Sequence, residues 1–105
     1  MMHKLLVLYP EPTDRTAFTA YYEGTHLPLA ASLPGMVAWR YSLDVHAEGE
    51  SPYFAVFEAD FPDAATLGAA MRSPQGQAVA ADVPNYATGG AVVIDYPVVE
   101  TKTSV

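Results

Sequence analysis

Apolar and polar positions change period several times along the chain, and each change marks an element. His3 to Tyr9 (HKLLVLY) is a nearly continuous apolar run closed by Pro10, Glu11 and Pro12, which predicts a short strand buried on both faces. Phe18, Tyr22 and His26 then recur every four residues, with Tyr21 and Thr25 adjoining, behind a cap at Thr13 or Asp14. That spacing is one face of a helix. Pro28 predicts that the helix ends or kinks just after His26. Leu29 to Leu33 adds a further turn, and Pro34-Gly35 reverses the chain. Val37, Trp39, Tyr41 and Leu43 alternate with Ala38, Arg40, Ser42 and Asp44, the period-two pattern of a strand with one apolar and one more polar face.

After a polar turn at residues 47–51, Tyr53 to Asp60 is aromatic and branched enough for a third strand, the hairpin partner of the second. Asp63 caps an alanine-rich helix through Met71, and Ser73-Pro74 restarts it, because serine caps well and proline is tolerated at the first helical position. Pro84 ends that helix, Gly89-Gly90 turns, and Ala91 to Tyr96 forms a fourth strand before an exposed Thr/Lys/Ser tail. The order strand, helix, strand, strand, helix, strand predicts an α+β, ferredoxin-like fold: a four-stranded antiparallel sheet with its helices on one face. Strands one, three and four carry large apolar residues at odd and even positions alike. With no third helix to cover the bare face, the expected cover is a second copy of the sheet, making a homodimer.

Composition narrows the function classes. A length of 105 residues is one small domain spanning 1–105, which excludes two-domain enzymes, and 50% apolar with 16% charged residues predicts a folded chain. The formal charge of -7 disfavours nucleic acid and anionic membranes as partners. The absence of cysteine removes disulfides, thiolate nucleophiles and cysteine-based metal sites. Prolines interrupt the N-terminal apolar run too early for a signal peptide, and no stretch approaches a membrane span, so a cytoplasmic location is expected.

Few residues remain as candidates for chemistry. His3, at the chain start, and His46, entering a polar turn, read as solvated side chains. His26 differs, because it continues the stripe of Phe18 and Tyr22 and so points toward the sheet. At a helix C-terminus the carbonyl groups favour its protonated form while burial opposes it, leaving a pKa near neutrality. The competing reading is a core histidine bonded to a backbone carbonyl. Tyr22, Trp39 and Tyr41 supply polar tips on apolar bodies, as a small-molecule pocket requires, whereas Tyr9, Tyr53, Tyr86 and Tyr96 read as core or interface packing. No His-x-x-x-His pair, phosphate-binding glycine pattern or nucleophile elbow occurs. Proton transfer by one histidine in an apolar cup is what survives.

The opening strand HKLLVLYP, the stretch FTAYYEGTHLP ending at Pro28, the turn Leu33-Pro34-Gly35-Met36, and SPQGQAVAAD followed by Val83-Pro84-Asn85-Tyr86 together resemble the EthD family, named for ethyl tert-butyl ether degradation, within the dimeric α+β barrel superfamily. The resemblance implies a dimer whose two sheets pack into a barrel, with a pocket between each protomer's sheet and helices. It implies relatives that isomerise lactones, decarboxylate or cyclise polyketides, or oxygenate aromatics without metal or organic cofactor. His26 falls at the family's histidine. In the related lactone isomerases it works with a tyrosine on strand two, where this chain has Trp39, an indole that donates a hydrogen bond but is no phenolic acid. Tyr41, two residues along, is the substitute suggested by alternation. The expected function is therefore a cofactor-independent enzyme of catabolic or secondary metabolism acting on a small apolar carbonyl, lactone or aromatic substrate. His26 is its acid/base and Phe18, Tyr22, Trp39 and Tyr41 bind substrate. The alternatives are a non-catalytic carrier of a hydrophobic metabolite and, from distant barrel relatives, haem ligation by His26.

Overall fold

The computed structural model describes residues 1–101. Its elements follow the order read from the sequence: β1 (His3–Pro10), α1 (Arg15–Tyr21), a π-helical segment (Tyr22–His26), α2 (Leu27–Ala30), β2 (Ala38–Ser42), β3 (Tyr53–Phe61), α3 (Ala64–Arg72), α4 (Pro74–Asp82), a short 3₁₀ turn (Val83–Asn85) and β4 (Val92–Pro97). The strands form one sheet in the order β2-β3-β1-β4, every neighbouring pair antiparallel. This is the ferredoxin-like arrangement.

The helix starts are set by short polar side chains. Asp14 accepts from the Ala17 N–H, Asp63 from Thr66 and Ser73 from Gly76, each satisfying one of the donors that a helix N-terminus leaves unpaired. Ser73, with Pro74 behind it, divides the second helical region into α3 and α4 as the sequence predicts.

The first helical region has the further turn read after His26 but no end there: it runs on into α2, with Pro28 in the first turn of that helix. The π segment makes this possible. The Leu27 N–H donates to the Tyr22 carbonyl five residues back, so the regular ladder is already interrupted where the proline's missing donor falls.

Strand alternation decides which side chains meet the helices. Leu5, Val7 and Tyr9 on β1 and Ala55, Phe57, Ala59 and Phe61 on β3 pack beneath them with Phe18, Tyr22, Leu27, Leu67 and Tyr86. The opposite face is uncovered in the protomer, so β1 is buried on one face and only half-buried on the other. That face divides into two halves. One carries Leu6, Leu8, Val56, Val92, Ile94 and Tyr96. The other carries a neutral network in which Lys4 reaches Asp60 at 2.9 Å and Glu58 at 3.3 Å, and Arg40 reaches Asp60 at 2.7 Å. The expected Thr/Lys/Ser tail beyond Thr101 lies outside the described residues.

Candidate functional site

His26 is the buried histidine that the four-residue spacing predicts, at 3% exposure. In a regular α-helix, residues eight apart drift about 80° around the axis, because each residue turns 100°. The wider turn of the π segment keeps Phe18, Tyr22 and His26 on one buried stripe. The Tyr22 and His26 rings consequently stack, 5.6 Å apart and 16° from parallel. Tyr86 leans on the imidazole at 4.5 Å.

The imidazole's partner comes from the far end of the chain. His26 Nδ1–H donates to Asp82 Oδ2 at 2.9 Å, and the other carboxylate oxygen accepts from the Tyr21 hydroxyl at 2.5 Å and from Asn85 Nδ2 at 3.0 Å. Asp82 closes α4 and is itself buried. The 3₁₀ turn that follows folds Asn85 and Tyr86 back onto the same site. With Nδ1 committed to Asp82, Nε2 is the ring atom left to accept a proton.

Burial is the largest influence on His26 and holds it below the ordinary histidine range, while the Asp82 carboxylate pulls the other way. Burial likewise raises the Asp82 carboxyl, but donation by Tyr21, Asn85 and His26 outweighs it and leaves Asp82 below the usual carboxylate range. The favourable effect of a helix C-terminus on His26, expected from sequence, is absent because the helix continues. Asp82 takes its place.

The tyrosines form a second layer. Tyr9 and Tyr86 share a buried hydrogen bond at 2.7 Å. Tyr22 is fully buried, and its hydroxyl, next to the Tyr9 phenol, has no hydrogen-bond partner among the described residues. Burial pushes the pKa of all three phenols upward, so each is a neutral donor at physiological pH.

The other candidates are placed less centrally. Phe18 lies in the core between Tyr22 and Phe54, away from the imidazole edge. Trp39 and Tyr41 face the helix-bearing side, as alternation predicts, but stay about two-fifths exposed on the edge strand β2. They wall an open groove of about 320 Å³ with Glu23, Leu27, Pro28 and Ala31. Tyr41 meets the His26 shell at Tyr22, with ring centroids 5.9 Å apart. A separate, partly enclosed apolar cavity of about 60 Å³ lies between sheet and helices, lined by residues including Tyr9, Ala30, Phe57 and Val83. Tyr22 and Tyr86 occupy much of the space expected to lie open against the imidazole.

Sequence reasoning passed over Asp82, Tyr21, Asn85 and Tyr86. The available signal was an acidic residue closing an alanine-rich helix, followed at three and four residues by Asn and Tyr. His3 is a correction: it is buried and bonded to Asp95 at 2.6 Å, because alternation along β1 puts it on the same face as Leu5. His46 is exposed, beside Asp44 at 3.0 Å. Among the described residues no three histidine, aspartate or glutamate side chains come together as a metal site, and no helix is long and apolar enough to cross a membrane.

Residues 10–90 match the EthD domain family. An uncharacterized 11.0 kDa protein in the thcB-thcC intergenic region of Rhodococcus erythropolis is 32% identical over 94 residues, covering 89% of this chain and 91% of that one. The crystal structure of an ethyl tert-butyl ether degradation (EthD) family protein from Bacillus halodurans superposes with a TM-score of 0.87 at 31% identity, covering 94% of this chain and all of the other. Two more distant structures share the fold alone. A dimeric ferredoxin-like protein of unknown function from Jannaschia has a TM-score of 0.70 at 24% identity, covering 93% and 100% of the two chains. The hydroxynitrile lyase of Passiflora edulis has a TM-score of 0.76 at 17% identity, covering 97% of each chain. The family match and the two relatives above 30% identity agree, and the chain belongs to the EthD family.

Proposed function

We propose that this protein is a homodimeric enzyme that moves a proton next to a carbonyl, on a small apolar ketone, lactone or aromatic substrate, with His26 as acid/base and no cofactor. The observation that carries the reading is the buried pair in which Asp82 holds His26 Nδ1–H and so dedicates Nε2 to the substrate. Nε2 takes a proton from the carbon beside the carbonyl. The resulting imidazolium is paired with Asp82, and the enolate oxygen accepts from the unpartnered Tyr22 hydroxyl, which substrate reaches by displacing the side chains that bury it. Return of the proton to the same carbon gives exchange; return to a different carbon gives isomerisation. Phe18 backs the Tyr22 ring, and Trp39 and Tyr41 form the outer rim. A cytoplasmic setting fits this small acidic domain.

The test is hydrogen–deuterium exchange, followed by NMR in D₂O, across a panel of small ketones, lactones and phenols. The wild type is expected to accelerate exchange in at least one compound, and His26→Ala to lose about 10²- to 10⁴-fold of that rate while remaining a folded dimer. Undiminished exchange in His26→Ala overturns the assignment. The low exposure of His26 favours one second reading, a non-catalytic carrier. Saturable quenching of Trp39 by an aromatic metabolite, unchanged between about pH 5 and 8 and without exchange, identifies that case.

The dimer rests on the uncovered sheet face. Val92, Ile94 and Tyr96 are each about two-fifths exposed there beside half-buried Leu6, Leu8 and Val56. The adjoining charged network is neutral, so it is a surface on which two chains of charge -7 can meet. Sedimentation of wild type as a dimer and of Ile94→Glu as a folded monomer tests it.

A further inference from the structure

The groove walled by Trp39 and Tyr41, the outer rim of the proposed substrate site, carries a charged group, Glu23, that the proton-transfer step does not use. Its floor and helix side are apolar, from Leu27, Pro28 and Ala31, and its volume of about 320 Å³ suits a small ring. Its β2 side is two aromatic rings inclined by 22° with centroids 6.3 Å apart, the indole backed in turn by Phe57. Its one charged group is Glu23, on the exposed side of the π segment, which accepts from the Tyr41 hydroxyl at 2.6 Å.

No cationic side chain pairs with Glu23 among the described residues. Lys4 and Arg40 are occupied by Glu58 and Asp60 on the opposite sheet face, and Arg15 by Glu11. The groove therefore presents a carboxylate with one oxygen uncommitted, flanked by two half-exposed aromatic faces, on a protein of charge -7. An anion would meet repulsion there. A neutral ring would gain apolar contact only. A weakly hydrated organic cation gains that contact, the attraction of Glu23, and the negative faces of the indole and phenol, indole being the best ring for the purpose.

We infer that this groove is a binding site for a compact organic cation, an aryl- or alkylammonium group seated between Trp39, Tyr41 and Glu23. The site is on the helix-bearing side, so a dimer formed through the open sheet face leaves it accessible. Binding is read without turnover, which separates it from the fate of the His26 proposal.

Trp39 is the single tryptophan, so its emission reports the groove directly. Titration of the intact protein with phenyltrimethylammonium at low salt is expected to give a saturable change with a dissociation constant of roughly millimolar or tighter. Neutral benzyl alcohol should bind about tenfold or more weakly, benzenesulfonate not at all, and Glu23→Gln should weaken the cation about tenfold with circular dichroism unchanged. His26→Ala should bind the cation as wild type does. Equal binding of cation and alcohol, an unaltered constant in Glu23→Gln, a linear unsaturable quench, or loss of binding in His26→Ala would each overturn the inference.

Discussion

Replacing Tyr22 by phenylalanine tests the description of the site by the sign of its effect. The Tyr22 ring contacts Tyr9, Phe18, Tyr86 and His26, with centroids 5.3–5.6 Å away, and a phenyl ring keeps all of these contacts. The hydroxyl is fully buried with no partner among the described residues, a condition that costs about 1–3 kcal/mol. Removing it loses at most an off-geometry contact with the Tyr9 phenol and leaves a void smaller than a methyl group, worth less than about 1 kcal/mol. Tyr22→Phe is thus expected to stabilise the fold by about 1–2 kcal/mol. In a chain of this size each kcal/mol raises Tm by roughly 4–8 °C. Tyr9→Phe is the control of opposite sign, because it strands the Tyr86 hydroxyl and should destabilise by about 1–3 kcal/mol. Urea titration with unchanged slope measures both. If Tyr22→Phe is destabilised as Tyr9→Phe is, the hydroxyl has a partner and is not the free donor that the proposed mechanism needs. If the mechanism holds, the stabilised variant also exchanges protons more slowly, a trade of activity for stability.

Other outcomes follow from the same geometry. His26 titrates below the ordinary histidine range, so the unfolded chain takes up that proton first: its contribution to stability is complete above about pH 6.5 and declines as pH falls below it. Asp82, also depressed, adds to the loss at lower pH, and urea midpoints across pH 4–8 should lose the histidine-linked slope in His26→Gln. Asp82→Asn removes the charge that opposes burial, so NMR should find His26 titrating lower still. Gly24, in the π segment, has open space where a Cβ would sit, and Gly24→Ala should stabilise by about 0.5–1 kcal/mol in thermal melts. Gly76→Ala should do the reverse by about 1–3 kcal/mol, since its methyl meets the Ala70 carbonyl and lies 2.6 Å from that of Met71 at the break between α3 and α4.

The fold was legible because its signals are local. Asp14, Asp63 and Ser73 cap the helices they precede, and Trp39 and Tyr41 alternate onto the side that the period-two pattern assigns. His26 was legible for the same reason, as the third member of a four-residue spacing. Asp82 was not, because it meets His26 across 56 residues and the pairing depends on how α4 lies beside the first helical region. The continuation of the helix past His26 was only half legible, since the proline left an end and a kink both open. Pro28 signals a break, and only the π segment, which has no residue signature of its own, absorbs it. His3 was misjudged from its position at the chain start, although the alternation that buries Leu5 buries it too.

The widened turn at Tyr22–His26 makes chain length, rather than residue identity, the sensitive variable in this stretch. Deleting one residue there would let a regular α-turn close over nearly the same angle, because the widened turn carries one residue more, whereas adding one would swing everything downstream by about 100°. The imidazole could not then face Asp82 while Leu27 and Ala30 kept their seats on the sheet. The loop at residues 46–51 has no such lock, so insertions there should be absorbed, while one residue added between positions 22 and 26, where the turn is already widened, should uncouple the imidazole from its carboxylate.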